Sequence, residues 1–285
     1  MGPSRRTLPG PPQLGVFAGN SPEAVLRFER WLGRRVDGVV GFIGQANWDE
    51  IATPTWPMDL WRPLDRPVFW SMPLIPSGGA ATLEQAARGA YDHHWRSAAR
   101  LLATFRPRDP HLHVRTAWEF NGDWFPWAAK GKEAAFVAAF RRFVGIFRAT
   151  SPRFLIEWSA NYDGEMDPEQ GWPGAEFADV IGMDFYWHTQ WAPSDPVCAW
   201  EQLRDRRRGL RWHQDFAAAQ NRPTAYSEWG VTTGNAAPFL ERAHAWFKAH
   251  NVLFHNYWDS DADYPGQLSN GRRGRSSAAF LRLFS

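Results

Sequence analysis

Eight short, near-continuously apolar runs recur along the chain, and helix-like stretches separate them. They are Leu14–Gly19, Val36–Ile43, Pro67–Ile75, His113–Glu119, Phe154–Asn161, Ala178–Trp187, Pro223–Gly230 and Val252–Trp258. Strands that are apolar throughout, rather than alternating, are covered on both faces, which is the mark of a parallel sheet flanked by helices. Between them lie Ser21-Pro22-Glu23, a helix start with proline in the first turn, and a stripe over Leu83–Phe105 capped by Thr82 (Leu83, Ala87, Ala90, His94, Ala98, Leu101, Phe105). Glu133–Arg148 carries Phe136, Phe140, Phe143, Val144 and Phe147 at helical spacing; Trp200–Ala219, Pro238–His250 and Ser276–Phe284 complete the helices. Eight βα units in 285 residues fit a (β/α)8 TIM barrel, an α/β fold, as a single domain over 14–285 behind a Pro/Gly leader at 1–13. An open doubly wound sheet is the alternative, but no Gly-rich phosphate loop follows the first strand.

In such a barrel the chemistry sits at the C-terminal ends of the strands. The fourth run, His113-Val-Arg-Thr-Ala-Trp-Glu, breaks at Asn121-Gly122 and continues into Trp124, Phe125, Pro126 and Trp127. Strict alternation puts Arg115, Ala117 and Glu119 on one face and Val114, Thr116 and Trp118 on the other. The seventh run puts Thr224, Tyr226 and Glu228 on one face, and the sixth does the same for Asp184 and Tyr186. Asn20, Glu119, Asn121, Asn161, Asp184, Tyr186, Glu228 and Trp258 therefore end on one mouth, with two glutamates from opposite sides of the ring.

Two carboxylates across a sugar ring are the machinery of glycoside cleavage, one protonated to serve the leaving oxygen and one ionised to attack. Desolvation by the indole-rich loop favours Glu119 as the acid/base, with Arg115 beside it on the same face. A hydrogen bond from the Tyr226 phenol favours a charged Glu228, the nucleophile. The 18 tryptophans suit flat ligand faces, and a formal net charge of +2 directs them to sugars rather than nucleic acid.

The segment Arg115…Trp118-Glu119-Phe120-Asn121-Gly122…Trp124-Phe125-Pro126-Trp127 resembles the acid/base motif of glycoside hydrolase family 26. This is the β-mannanase family of a large clan of (β/α)8 glycosidases. Tyr226-Ser-Glu-Trp-Gly230 resembles its nucleophile motif, Asp184-Phe-Tyr186 its strand-six tyrosine near the nucleophile, and Trp258 its aromatic floor. The resemblance runs in order from strand one to strand eight. It implies a retaining, endo-acting hydrolase of a β-linked polysaccharide such as mannan, with Glu119 and Glu228 catalytic. Arg115, Asn121, Trp124, Trp127, Asn161, Asp184, Tyr186, Tyr226 and Trp258 would bind substrate, without cofactor or metal. The chain departs from the family pattern at Trp118, where a histidine usually precedes the acid/base, and that bears on the sugar more than on the mechanism. β-1,3-Xylan, mixed-linkage glucan and a bacterial exopolysaccharide are alternative substrates, and a glycan-binding barrel without catalysis is an alternative function.

Other signals carry blander readings. Asp259-Ser-Asp-Ala-Asp263 starts like a calcium loop but has Tyr264 and Asn270 where glycine and glutamate are required, so a cleft-lining loop that contacts sugar hydroxyls is expected. His93-His94 are adjacent on a helix and do not face one another, and His111 and His113 have no third ligand spaced to join them. The arginine runs Arg204–Arg211 and Arg272–Arg275 read as solvated faces, or as attraction for an anionic polysaccharide. Cys198 is the single cysteine, so no internal disulfide forms. No apolar run is long enough to span a membrane. Arg5-Arg6 is followed by Pro-Gly-Pro-Pro rather than an apolar core, so no secretory peptide is expected, which fits an intracellular protein or the mature form of an extracellular one. A monomer is expected.

Overall fold

The computed structural model describes residues 12–285; of the expected leader, residues 1–11 lie outside the described residues. Its strands are β1 (Gln13–Phe17), β2 (Gly38–Phe42), β3 (Val68–Met72), β4 (Leu112–Thr116), β5 (Phe154–Asn161), β6 (Val180–Trp187), β7 (Thr224–Val231) and β8 (Val252–Trp258). They follow one another as a closed barrel in the order β1 to β8, and the pairings β1–β2, β3–β4, β4–β5, β7–β8 and β8–β1 are parallel, as a (β/α)8 fold requires. Ten α-helices are described: α1 (Pro22–Leu32), α2 (Trp48–Ala52), α3 (Thr55–Trp61), α4 (Leu83–Ala87), α5 (Asp92–Thr104), α6 (Glu133–Thr150), α7 (Pro196–Asp205), α8 (Leu210–Ala219), α9 (Ala237–Ala249) and α10 (Gly274–Phe284). None is long and apolar enough to cross a membrane among the described residues.

Two compact units make up the chain, one running to Val39 and resuming at Met183, the other being Val40–Gly182. In the first, α1 starts where the sequence places it: Ser21 Oγ accepts from Ala24 N, Pro22 opens the first turn, and Gly33 at φ 84° closes the helix in the left-handed region. In the second, α6 buries its phenylalanine stripe completely, and Phe143 stacks edge-on to Trp95 of α5 at 5.7 Å. The Trp95 indole in turn donates to Leu74 O at 3.0 Å, tying α5 to the segment after β3.

Three expectations change. The stripe over Leu83–Phe105 is two helices, because Gly89 at φ 87° turns the chain between α4 and α5. That positive φ is one a side-chain-bearing residue adopts only under strain, and the Arg142 guanidinium occupies the place of a Cβ there, 2.3 Å away. The break rotates the buried face of α5 from His94 and Leu101 to Trp95, Ala98, Ala99 and Leu102. The helix expected over Trp200–Ala219 starts earlier, at Pro196 under an Asp195 cap, and breaks at Arg208, φ 67°, into α7 and α8. Between β2 and β3, where no helix is expected, lie two short ones, α2 and α3.

Replacing Phe143 by alanine removes a wholly buried ring from the α5–α6 contact. It is expected to cost about 3–5 kcal/mol, read as a lowered urea midpoint with an unchanged slope.

Candidate active site

The described unit 40–182 builds one cluster around Glu119. β4 ends at Thr116, earlier than the sequence suggests, and alternation does not reach the glutamate. Ala117 and Glu119 instead have φ of 50° and 54°, the left-handed region that residues with a Cβ avoid. Their neighbours explain how this is held. Trp118 is buried between Trp127 (4.6 Å), Phe125 (5.2 Å) and Phe42 (5.7 Å), with the Arg115 guanidinium 5.3 Å from its ring. Phe120 is anchored on Phe136 at 4.5 Å and Trp158 at 5.1 Å. Glu119 N donates to Ser159 O and Gly122 N closes the turn onto Glu119 O, each at 3.0 Å.

The carboxylate of Glu119, half-buried, accepts from Asn161 Nδ2 at 2.6 Å on one oxygen and from Trp124 Nε1 at 2.7 Å on the other. The loop thus meets Glu119 with an indole N–H, and β5 with an amide N–H, where an apolar surface was expected. Trp124 itself stays 50% exposed. Gly122 makes this pose possible, since a Cβ would stand 2.3 Å from the Trp124 ring.

Three of the expected substrate contacts in this unit do other work. Asn121, buried, uses both ends of its amide on the backbone of Asn161, at 2.8 Å each, and so braces the residue that holds Glu119. Trp127 is fully buried, stacks on Phe125 and donates to Trp118 O at 2.8 Å, so it backs the aromatic wall instead of facing a ligand. Arg115 is buried, and its Nε and Nη2 reach Ser71 Oγ at 3.1 and 2.8 Å.

The unit that resumes at Met183 builds a second cluster around Glu228. Tyr226 does not donate to it. The Tyr226 hydroxyl is buried toward the helices, accepting from Gln214 Nε2 of α8 at 2.9 Å and Trp246 Nε1 of α9 at 2.7 Å, and burial pushes its pKa well above the ordinary phenol value. Trp229, three residues on, also faces helices, lying 5.2 Å from Phe247 of α9. Two residues three apart cannot share a face of a regular pleat; the register irregularity between Tyr226 and Trp229 reconciles them. Glu228 is released by the same irregularity, and Tyr186 OH donates to its Oε2 at 2.6 Å.

Tyr186 is packed by Tyr264 at 4.3 Å and by Trp258 at 6.1 Å, and Trp258 stacks on Phe17 at 4.0 Å. Gly230 leaves the space for Tyr264, because a Cβ there would lie 3.0 Å from its ring. Tyr264 is a site residue that sequence reasoning met only as the wrong residue for a calcium loop. Asp184, expected to bind substrate, is wholly buried, and Asn20 is exposed at the end of the loop after β1.

The Asp259–Asp263 segment is pinned to the protein rather than open to sugar hydroxyls at its first aspartate. Asp259 accepts from Leu268 N (2.8 Å), Ser269 N (3.0 Å) and Ser269 Oγ (2.5 Å), and Asp261 accepts from Gln267 N and Asn270 Nδ2. His93 and His94 do come together, with ring centroids 3.9 Å apart, but His94 lies flat on Trp48 at 4.6 Å. No group of three or more potential metal ligands occurs among the described residues. In the arginine runs, Arg204 and Arg211 share Asp205, which they hold well below the usual carboxylate range, and Arg273 donates to the carbonyls of Thr232, Pro265 and Gln267.

Glu119 thus follows β4 in one unit and Glu228 lies in β7 of the other, each beside an exposed or half-buried aromatic ring. Residues 106–202 match the model of glycosyl hydrolase family 26, a segment that includes Glu119, Asn161 and Tyr186 and stops before Glu228. Over that segment the chain is similar to family 26. Endoglucanase H of Acetivibrio thermocellus is 24% identical over 215 residues, 65% of this chain; the chain spans 22% of that relative's length. The catalytic domain of an endo-β-1,4-mannanase from Bacillus sp. JAMB-750 superposes with a TM-score of 0.70 at 16% identity, covering 97% of this chain and 87% of that one. A family 26 β-mannanase from Bacteroides ovatus gives 0.67 at 13% identity, covering 96% and 91%. At these identities the structural likeness speaks for the fold, and the family match with the endoglucanase relative supports a glycoside hydrolase.

Burial raises the Asp259 carboxyl above its ordinary value, and the Ser269 and Leu268 donors only partly offset this. An acid raised in the folded state stabilises the fold below the unfolded value of about 3.9 and loses that contribution as pH rises through the folded value. Asp259→Asn keeps an oxygen for the two amides and a nitrogen for Ser269 Oγ. Its stability relative to wild type is expected to rise across this window, measured as urea midpoints from acid to neutral pH. Parallel curves would contradict the assignment.

Proposed function

We propose that the protein is a retaining glycoside hydrolase that cleaves a β-linked polysaccharide, mannan-like and endo-acting, by double displacement. Glu228 is the nucleophile and Glu119 the acid/base. The observation that carries this reading is the difference between the two carboxylates. Glu228 is 7% exposed, with one oxygen fixed by the Tyr186 hydroxyl, as a group that attacks one carbon from one direction needs to be. Glu119 is half-buried and accepts from two side-chain N–H groups, open enough to exchange protons with leaving group and water.

In the first step Glu228 attacks the anomeric carbon and the glycosidic C–O bond breaks, while Glu119 gives its proton to the departing oxygen. In the second, Glu119 takes a proton from water, whose oxygen displaces Glu228 and restores the starting configuration. The chemistry requires both acids at one anomeric centre. Trp124, Tyr186, Trp258 and Asn161 are the side chains proposed to meet the sugar. Several structural neighbours are endo-β-1,4-mannanases by description and the sequence relative is an endoglucanase, which supports a β-linked polymer as the substrate. One observation favours a polymer other than mannan: Trp118 fills the family's histidine position with an indole that is only 4% exposed and packed on three aromatic rings.

Glu228→Ala is expected to abolish release of reducing ends from a panel of β-glycans while leaving the circular dichroism and melting curve unchanged; a wild-type rate would end the assignment. Glu119→Ala is expected to lose on the order of 10²–10⁴-fold on natural glycan but far less on an aryl glycoside whose leaving group needs no proton. Equal loss on both substrates would remove Glu119 from the acid role. Tyr186→Phe is expected to cost roughly ten- to a hundredfold in kcat, the worth of one hydrogen bond to a charged group.

A further inference from the structure

The loop after β6 presents its largest side chain to solvent. Trp191 is 74% exposed, more than any other large apolar side chain among the described residues. Its pose is nevertheless fixed. Trp187, buried at the end of β6, holds the loop at both ends: its carbonyl accepts from Tyr264 OH at 2.8 Å and Thr232 N at 3.2 Å, and its indole donates to Pro193 O at 3.0 Å. Between these points Trp191 N and Ala192 N both donate to His188 O, closing a turn, and Gln190 N donates to His188 Nδ1 at 3.2 Å. That bond orients the imidazole, whose pKa partial burial lowers, and Trp191 stacks on it at 4.2 Å with 24° between the planes.

The stack joins the Glu228 cluster. His188 meets Tyr264 edge-on at 6.0 Å, Tyr264 packs on Tyr186 at 4.3 Å, and Tyr186 OH reaches Glu228. A series of ring contacts therefore links the proposed nucleophile to an exposed indole within one unit of the chain, through the buried ring of Tyr264. A turn of this kind needs no tryptophan at its fourth position, and an indole left in water gives up the free energy its burial would supply. Held rigid beforehand, it loses little conformational freedom when a flat ligand lies on it.

We propose that Trp191, supported by His188, is a distal subsite that stacks a neutral pyranose ring of the β-linked chain, at least one unit away from the bond being cleaved. The inference rests on Glu228 as nucleophile, which makes the ladder lead to the reacting centre. Edge hydroxyls of the sugar remain hydrated while its C–H face covers the indole, so recognition there is tolerant of sugar identity and sensitive to chain length.

Trp191→Ala and Trp191→Phe separate the possibilities, since so exposed a side chain is dispensable for folding. On a long oligosaccharide cleaved by wild type, the alanine variant is expected to show a roughly tenfold higher KM, the loss of one stacked ring. kcat should hold, and phenylalanine should restore most of the difference. On a single-sugar aryl glycoside all three proteins should be equal. An unchanged KM on the long substrate overturns the subsite, and an equal loss on both substrates assigns Trp191 to structure instead. If wild type cleaves no β-glycan, the hydrolase reading fails separately. Affinity electrophoresis through gels containing β-mannan or mixed-linkage glucan then decides: retardation of wild type but not of Trp191→Ala keeps the subsite, and equal migration of both removes it.

Discussion

Two buried rings, Trp118 and Phe120, hold a glutamate between them in a backbone conformation it would not choose. Each ring occupies an aromatic pocket of its own, and the peptide linking them has no slack, so Ala117 and Glu119 sit at positive φ. Such conformations cost on the order of 1–3 kcal/mol each and persist only where surrounding packing overdetermines them. Here the overdetermination is visible: Ser159 O takes the Glu119 amide, Asn161 takes one carboxylate oxygen, and Asn121 clamps the backbone of Asn161 from the other side. The polar group is thus aimed by apolar packing one residue to either side. That separates its orientation from the pleat of β4 and explains why strand alternation, sound up to Thr116, fails at the residue that matters.

β7 shows the same division of labour by another device. Tyr226 and Trp229 are both committed to the helix side, an odd spacing that a regular strand cannot supply, and the irregular register between them lets Glu228 meet Tyr186. The eight strands could be read from apolar runs because burying both faces of a parallel sheet leaves a signal in every residue of the run; β5 and β8 match residue for residue. The motif residues could be read because their types are chemically demanding. What could not be read is whatever depends on a local break in periodicity. Gly89 splitting α4 from α5, Arg208 splitting α7 from α8, and the two strand-end irregularities each shift the phase of everything after them. Asn121, Trp127 and Tyr226 show the consequence: the residue type suits a ligand, while the structure turns each one toward the protein.

The abundance of tryptophan acquires a second explanation. Trp61, Trp70, Trp95, Trp127, Trp158, Trp187 and Trp229 are among the largest fully buried side chains, so seven of the 18 indoles build the interior rather than a ligand surface. Several also supply a directed N–H in a setting poor in water. Trp95 donates to Leu74 O, Trp158 to Gly171 O, Trp187 to Pro193 O and Trp127 to Trp118 O. Each of these bonds ties down a backbone carbonyl outside the strands, from the strand residues Trp158 and Trp187, from Trp95 in α5 and from Trp127 in the loop after β4, and an indole does so without bringing in a charge that burial would penalise. His255 follows the same logic. Burial lowers its pKa to about 3, so it stays neutral, stacks on Phe247 and offers Nδ1 to the Trp229 indole.

Of the exposed tryptophans Trp56, Trp124 and Trp191, the last two stand out because hydrogen bonds fix them. Trp124 is left half in water, yet its N–H is committed to Glu119 and its ring is seated over Gly122, where any side chain would collide. Trp191 is more exposed still, with its turn closed by three hydrogen bonds to His188. In both cases the fold fixes the ring while leaving its face uncovered. Packing alone would favour the reverse arrangement, a covered face and a mobile attachment, because apolar burial rather than rigidity is what stabilises a core. Rigidity at an uncovered face makes physical sense when the missing cover is a ligand whose binding would otherwise have to order the ring.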